Sequence, residues 1–236
     1  MANKTKIEWT ECSWNPITGC TKISAGCQNC YAATFAKRLE AMHNPRYKNG
    51  FKLTVHDDLI EAPLKWKIPR KVFVNSMSDI FHEELTDEII LRIFDTMNRA
   101  SWHTFQVLTK RSERLRALAS KINWTDNIWM GVTIESQDYI YRAEDLKSTD
   151  AKIKFISAEP LLSDLKGLNL DDIDWIIVGG ESGHHIRPIE EEWVIDLRKK
   201  TQEAHVPFFF KQWGGVNKKK NGRLLEGKTY DEYPQI

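Results

Sequence analysis

The chain has 236 residues, with 34 Lys and Arg against 33 Asp and Glu, a net charge of +1, and 41% hydrophobic residues. That length suits one α/β domain of about 200–250 residues. The charge balance argues against a protein that is basic all over, and no apolar run approaches the roughly 18 residues of a membrane-spanning helix. The start, MANKTKIEWTEC, lacks the apolar centre of a secretion signal, so the expectation is a cytoplasmic protein with no membrane partner.

In chain order the cysteines come first. All four fall between Cys12 and Cys30, and in a reducing compartment disulfides are not expected. An amphipathic helix is predicted to begin near Tyr31. Strand-like runs follow at Phe51–Val55, Val72–Met77, Thr104–Thr109, Ile128–Ile134, Lys154–Ser157, Trp175–Val178 and Pro207–Phe210. Several are nearly continuous apolar segments, as buried parallel strands are. Between them lie helical patterns. Leu85–Ala100 puts Leu85, Ile89, Ile90, Ile93, Phe94 and Met97 on one stripe behind Thr86 as N-cap. Ser112–Ala119, Asp138–Leu146 and Glu190–Ala204 follow the same pattern. Strand alternating with helix predicts an α/β fold, a parallel (β/α) barrel or partial barrel of six to seven strands. It is expected as a single domain over residues 1–236, with a cysteine loop over 12–30. The tail over 217–236 is expected to be a solvated surface segment.

Each predicted strand ends in polar residues. His56, Asp57 and Asp58 follow the first; Asn75, Ser76, Ser78 and Asp79 the second; Thr109, Lys110 and Arg111 the third. Glu135 and Ser136, then Ser157 and Glu159, then Gly179, Gly180, Glu181 and Ser182, and finally Lys211, Gln212 and Trp213 follow the others. In parallel α/β folds these ends share one face, and that face carries the chemistry. The plainer reading is that turns are polar. Asp79 would then cap a helix, Lys110 and Arg111 would start one, Glu159 would pair with one of those cations, and Glu181 with His184–His185 would be loop surface.

The most specific string is WNPITGCTKISAGCQNCYAATFAKRLEAM. Cys20, Cys27 and Cys30 form Cys-x6-Cys-x2-Cys, and Gly19 and Gly26 each precede a cysteine, where a freer backbone helps a loop wrap round an ion. Three readings stand. Three thiolates suit an iron–sulfur cluster with one iron left open. Four ligands, with Cys12 as the fourth, suit structural zinc. The third reading leaves the thiols unliganded. Trp9 and Trp14 flank the loop and are candidates for shielding a cluster from water.

Together with NSMSDIF, LTKR, ISAEPLL and IVGGESG, this string resembles the three-cysteine-motif family of phages and bacteria. That family in turn is similar to a divergent branch of the radical SAM enzymes. The resemblance implies a 4Fe–4S cluster on Cys20, Cys27 and Cys30, S-adenosylmethionine bound at its open iron, and an electron donor. This sequence departs from the common radical SAM pattern in two places: the first cysteine gap is six rather than three, and the aromatic residue, Tyr31, follows the last cysteine. The resemblance also assigns the other strand ends. Ser76, Ser78 and Asp79 stand where a Gly-Gly-Glu motif usually receives the methionyl ammonium. Lys110 or Arg111 would hold the carboxylate, Glu159 would accept from ribose hydroxyls, Gly179 and Gly180 would let the backbone approach adenine, and Glu181 would belong to the same site.

Three basic stretches make nucleic acid a candidate partner: Lys65–Lys71 (KWKIPRK), Lys110–Arg116, and Trp213–Lys220. Lysines would follow phosphates while Trp66 or Trp213 stacks on a base. With the phage setting of the family, this suggests repair like that of a photoproduct lyase, or base modification. The alternative of a different class is a non-catalytic zinc-binding module that recognises nucleic acid or a protein partner.

Overall fold

Strands that are apolar on both faces need cover on both, and this decides the architecture. In the computed structural model, which describes residues 3–183 and 185–235, β1 (Asn3–Lys4) pairs antiparallel with β2 (Cys12–Trp14). A separate antiparallel pair joins β3 (Ile17–Thr18) to β4 (Thr54–Val55). From β2 the main sheet runs parallel through β5 (Lys71–Val74), β6 (Thr104–Thr109), β7 (Ile128–Thr133), β8 (Ile153–Ala158), β9 (Trp175–Gly179) and β10 (Phe208–Gln212). The helices are α1 (Tyr31–Ala41), α2 (Asp57–Ile60), α3 (Asp87–Arg99), α4 (Ser112–Leu118), α5 (Tyr141–Lys147), α6 (Glu191–Glu203) and α7 (Lys218–Asn221). Among the described residues no helix is long and apolar enough to cross a membrane.

The seven parallel strands form a curled half-barrel. Trp9, just before β2, lies 6.4 Å from Phe155 on β8 and 6.3 Å from Trp175 on β9, ring to ring. In a flat sheet β2 and β9 would stand five strand spacings apart, about 24 Å. The concave interior is filled at its base by Trp9, Phe73, Trp129, Phe155, Trp175 and Phe209. Alternate residues, among them Val72, Val107, Ile156 and Val178, face a largely aliphatic core shared with Ile90, Ile93 and Phe94 of α3. Thr86 caps α3 by accepting from Ile89 N, as its position before the apolar stripe predicts.

Two expectations need correction. The segment Phe51–Val55 contributes no strand to the half-barrel; only Thr54–Val55 is extended, and it pairs with β3. The first parallel strand is Cys12–Trp14, too short to show a period. His56, Asp57 and Asp58 therefore do not reach the strand-end face: His56 meets Thr18 Oγ1 at 2.9 Å, and the two aspartates pair with Arg92 and Arg46. Second, β5 ends at Val74, and Asn75 turns the chain with φ 58°. The tail is a largely exposed surface segment, as expected, and is also tied to the sheet. Phe210 N donates to Tyr230 O at 3.0 Å, Phe208 N to Glu232 Oε2 at 2.9 Å, and Trp175 Nε1 to Glu232 O at 2.8 Å. Tyr233 packs on Trp175, with Lys71 of β5 4.0 Å above its ring. The tail thus covers the free edge of β10 and bridges the open side of the base.

Candidate active site

Because β2 and β5 to β10 are parallel, their C-terminal ends share one rim. The 12 residues between β3 and α1 cross that rim and are tied down on every side. At one end Gly19 N donates to Met77 O at 2.9 Å and Ser78 Oγ to Gly19 O at 2.7 Å. Gly19 has φ +88°, and a Cβ there would overlap the Lys52 carbonyl, so only glycine fits. Arg111 donates to Cys20 Sγ at 3.4 Å and to Thr21 Oγ1 at 2.8 Å, and Thr21 donates to Glu83 at 2.9 Å. Past β7, Glu135 accepts from Gly26 N at 3.2 Å while paired with Arg142 at 2.9 Å, both side chains buried. Past β9, Asn29 donates to Glu181 Oε2 at 3.0 Å and to His185 O at 2.8 Å. Tyr31 donates to Ser76 O at 2.6 Å.

This arrangement encloses a cavity of about 420 Å³, within the range of small-molecule sites. Cys20, Cys27 and Cys30 line it, together with Ser76, Ser78, Asp79, Lys110, Arg111, Glu159, Gly180 and Glu181. Gly179 lies behind, its Cα turned to the Glu159 carboxylate, and is the one expected site residue outside the lining. Trp9 lines the cavity; Trp14 is on the other side of the sheet, against Phe105, and shields nothing here. His184 is outside the described residues.

The lining residues differ in what they have left to offer. Asp79 is saturated: it accepts from Phe81 N, Thr109 Oγ1, Lys110 N and Arg111. Arg111 is buried between Asp79 at 3.2 Å and Glu83 at 2.5 Å. It pins Cys20 and is not a free cation for a carboxylate. Ser78 is spent on the loop, and Glu181 is held by Arg187 at 2.5 Å. Burial pushes the Glu181 carboxyl up, but Arg187 and Asn29 outweigh it and hold it low. Glu159 pairs with Lys211 at 3.0 Å rather than with Lys110 or Arg111. Lys110 alone of the named cations has no carboxylate partner among the described residues. Asn75 Nδ2 and Gln212 Oε1, on residues that line the cavity, are buried without a hydrogen-bond partner among the described residues. Buried polar atoms are rarely left so unless a ligand or water satisfies them. Asn29 and Glu83 carry no sequence signal of this role, whereas Asn75, Lys211 and Gln212 stand among the polar strand ends without an assigned part; long-range pairing places Asn29, Glu83 and Lys211.

Burial and the Asp79 carboxylate push the Cys20 thiol up to about 11, against the pull of Arg111. Burial acts the same way on Cys27, yet Lys110 and hydrogen bonds from Ile23 and Ser24 outweigh it and leave that thiol below its ordinary value. Cys12 is elsewhere. It is fully buried on β2 in the aliphatic core, its thiol facing Lys71 O at 3.7 Å and raised to about 11 by burial. It does not line the cavity, so the fourth zinc ligand of the sequence reading is missing. Among the described residues no three His, Cys, Asp or Glu side chains are grouped to hold one metal ion. A single zinc needs all its ligands within about 2.0–2.3 Å of one point. Thiolates of an iron–sulfur cluster bind separate irons and stand further apart, so three thiols spread round one cavity fit a cluster better than an ion.

The basic stretches fare differently. Lys65–Lys71 runs into the start of β5 and therefore lies at the base, away from the cavity; the Trp66 ring packs on His103, and its backbone carbonyl accepts from Trp102 Nε1 at 2.7 Å. In Lys110–Arg116, Arg114 and Arg116 pair with Asp87 and Asp145. Trp213, near the mouth, packs on Phe210 and donates to Leu224 O at 2.8 Å, so both half-buried tryptophans already have a ring partner within the fold.

Residues 4–234 match the model of a family described as "protein of unknown function (DUF5131)". The chain belongs to that family. Among curated proteins no sequence match is found. Solved structures of spore photoproduct lyase do match this DUF5131 chain in fold. One variant with bound AdoMet and dinucleoside spore photoproduct superposes with a TM-score of 0.51 at 12% identity, over 86% of this chain and 64% of that one. Another, with the dinucleoside spore photoproduct, gives 0.53 at 12% identity over the same shares. The chain thus spans just under two thirds of these lyases, and the likeness shows a shared α/β half-barrel fold.

Proposed function

We propose that the protein is a radical SAM-type iron–sulfur enzyme that acts on a nucleic acid or nucleotide, in repair or modification. One observation carries this: Cys20, Cys27 and Cys30 line a single cavity at the mouth of a parallel half-barrel, beside an unpaired lysine and two unpartnered buried polar atoms. The three thiols would hold a 4Fe–4S cluster. Once reduced by a donor protein, a cluster with one open iron supplies, with S-adenosylmethionine, a 5′-deoxyadenosyl radical for hydrogen abstraction. This chain's own residues bind and orient. Lys110 is the cation for the cofactor's carboxylate. Asn75 Nδ2 is an unpartnered donor and Gln212 Oε1 an unpartnered acceptor on lining residues, among the described residues, and Glu159, steadied by Lys211, would accept from ribose hydroxyls. Asp79 and Arg111 hold Cys20 in place. The three-cysteine-motif resemblance, the phage setting and a cytoplasmic site, where thiols stay reduced, belong to the same proposal.

The test is anaerobic reconstitution followed by iron and sulfide analysis. About four irons per chain are expected, lost on replacing any of Cys20, Cys27 or Cys30 by Ala and kept in Cys12→Ala. With dithionite, S-adenosylmethionine should then be cleaved to 5′-deoxyadenosine. Zinc in place of iron, or an intact cluster that forms no 5′-deoxyadenosine over many hours, overturns the proposal.

A further inference from the structure

Helix α1 leaves the cysteine loop with its larger side chains facing outward. Tyr31, Phe35 and Met42 are 54%, 46% and 64% exposed, while the inner side of the helix offers Ala32 and Ala36, with Leu39 packed beside them. Tyr31, Phe35, Arg38 and Met42 follow the i, i+4, i+7, i+11 spacing of one helix face. A stripe with that spacing normally faces a core; here it faces solvent, and its first residue, Tyr31, lines the cavity. From Tyr31 to Met42 the stripe runs about 16 Å.

The charge around it identifies the occupant. Residues 19–52 contain six Lys and Arg and one acid, Glu40, a net +5 in a chain whose total is +1, so the remaining residues sum to −4. Arg46 is paired with Asp58. Lys37, Arg38, Lys48 and Lys52 are exposed or partly so and have no carboxylate partner among the described residues. Exposed aromatic rings with Arg38 on the same helix face, and further cations without carboxylate partners in the flanking chain, suit a single nucleic-acid strand, whose bases stack and whose phosphates take the cations. A purely apolar protein partner would not call for the excess charge.

We propose that the outer face of α1, from Tyr31 to Met42, is the platform on which a single-stranded nucleic acid is laid, leading a nucleotide to the mouth of the cavity. This names the interface of the enzyme proposed above, but it does not depend on the cluster and is measured without it.

The experiment is fluorescence anisotropy of a fluorescein-labelled 12-mer oligothymidylate titrated with the full-length chain at low salt. Binding is expected to weaken steeply as salt rises. Phe35→Ala should weaken it by about fivefold or more, the loss of one stacked base. Arg38→Glu should weaken it and flatten the salt slope. The double variant Lys65→Glu/Lys67→Glu, at the base, should bind as wild type. Absence of oligonucleotide binding at low salt overturns the proposal. So does binding unchanged in both Phe35→Ala and Arg38→Glu, and so does a Phe35→Ala variant that binds normally but loses self-association in sedimentation velocity, which would make the stripe a protein interface. If 5′-deoxyadenosine never forms while α1 variants lose the oligonucleotide, the enzyme reading falls and the platform stands.

Discussion

Trp175 at the base of the half-barrel and Arg111 at its mouth are both large and buried, and different forces hold them. Trp175 sits among the rings of Trp9, Trp129, Phe155, Phe209 and Tyr233, with a single hydrogen bond to Glu232 O. Arg111 sits among Asp79, Glu83, Thr21 and Cys20, every contact a directed one. Packing is non-directional and tolerates a substitute of similar volume. An ionic clasp fixes geometry but leaves a buried charge when one partner goes. The base therefore supplies stability and the mouth supplies placement, along the same seven strands.

The largest stability effect should come from the base. Trp175→Ala removes the side chain that ties β8, β9 and the tail together and should cost about 3–5 kcal/mol in chemical denaturation. Trp175→Phe should recover most of it if packing dominates. Next comes the mouth. Arg111→Met leaves Asp79 buried with its other three donors, for a loss of about 1.5–3 kcal/mol. Unlike Trp175→Ala, it should also release the cysteine loop, seen as faster proteolysis within residues 20–30. If Arg111→Met leaves proteolysis of the loop unchanged, the clasp does not position the cysteines.

Much of this division was legible in the sequence, and the gaps have physical causes. The runs at Ile128–Ile134 and Trp175–Val178 match β7 and β9 closely because doubly buried strands are largely apolar, and Thr104–Thr109 matches β6 although Gln106 is buried within it. Cys12–Trp14 escaped notice because three residues carry no period, and Phe51–Val55 misled because Phe51 packs beside α1 while Leu53 and Val55 pack against the aliphatic core without joining the main sheet. The cysteine spacing and the polar strand ends located the cavity. The pairings within it, Arg111 with Glu83 or Glu159 with Lys211, join residues 28 and 52 positions apart and are fixed only by the fold. The same pairings separate two adjacent cations that look alike in sequence.

That separation is a prediction about binding. Lys110→Ala removes a cavity cation that has no carboxylate partner among the described residues, and should therefore leave stability within about 0.5 kcal/mol of wild type. It should weaken S-adenosylmethionine binding to the cluster-loaded protein by about 10- to 150-fold, the loss of a charge-assisted hydrogen bond of roughly 1.5–3 kcal/mol. Isothermal titration of wild type and variant decides it; affinities within about twofold would place the carboxylate elsewhere on the wall.

The smallest effect should come from Glu83, at the outer edge of the clasp. Hydrogen bonding to Arg111 holds its carboxyl down at about 2, from an ordinary 4.5. A carboxyl lowered by folding stabilises the native state above its unfolded value, and that contribution fades as pH falls from about 4.5 towards 2. The side chain is more than half exposed, so solvent screening limits the pair to about 0–1 kcal/mol. Glu83→Gln should therefore melt slightly below wild type at pH 7, and the two curves should converge as pH drops below 4. A gap that widens on acidification would mean that Glu83 does not take its stabilising role from Arg111. A gap well beyond 1 kcal/mol at pH 7 would mean that Glu83 shares the buried, directional character of Asp79, and that the clasp at the mouth extends to the surface.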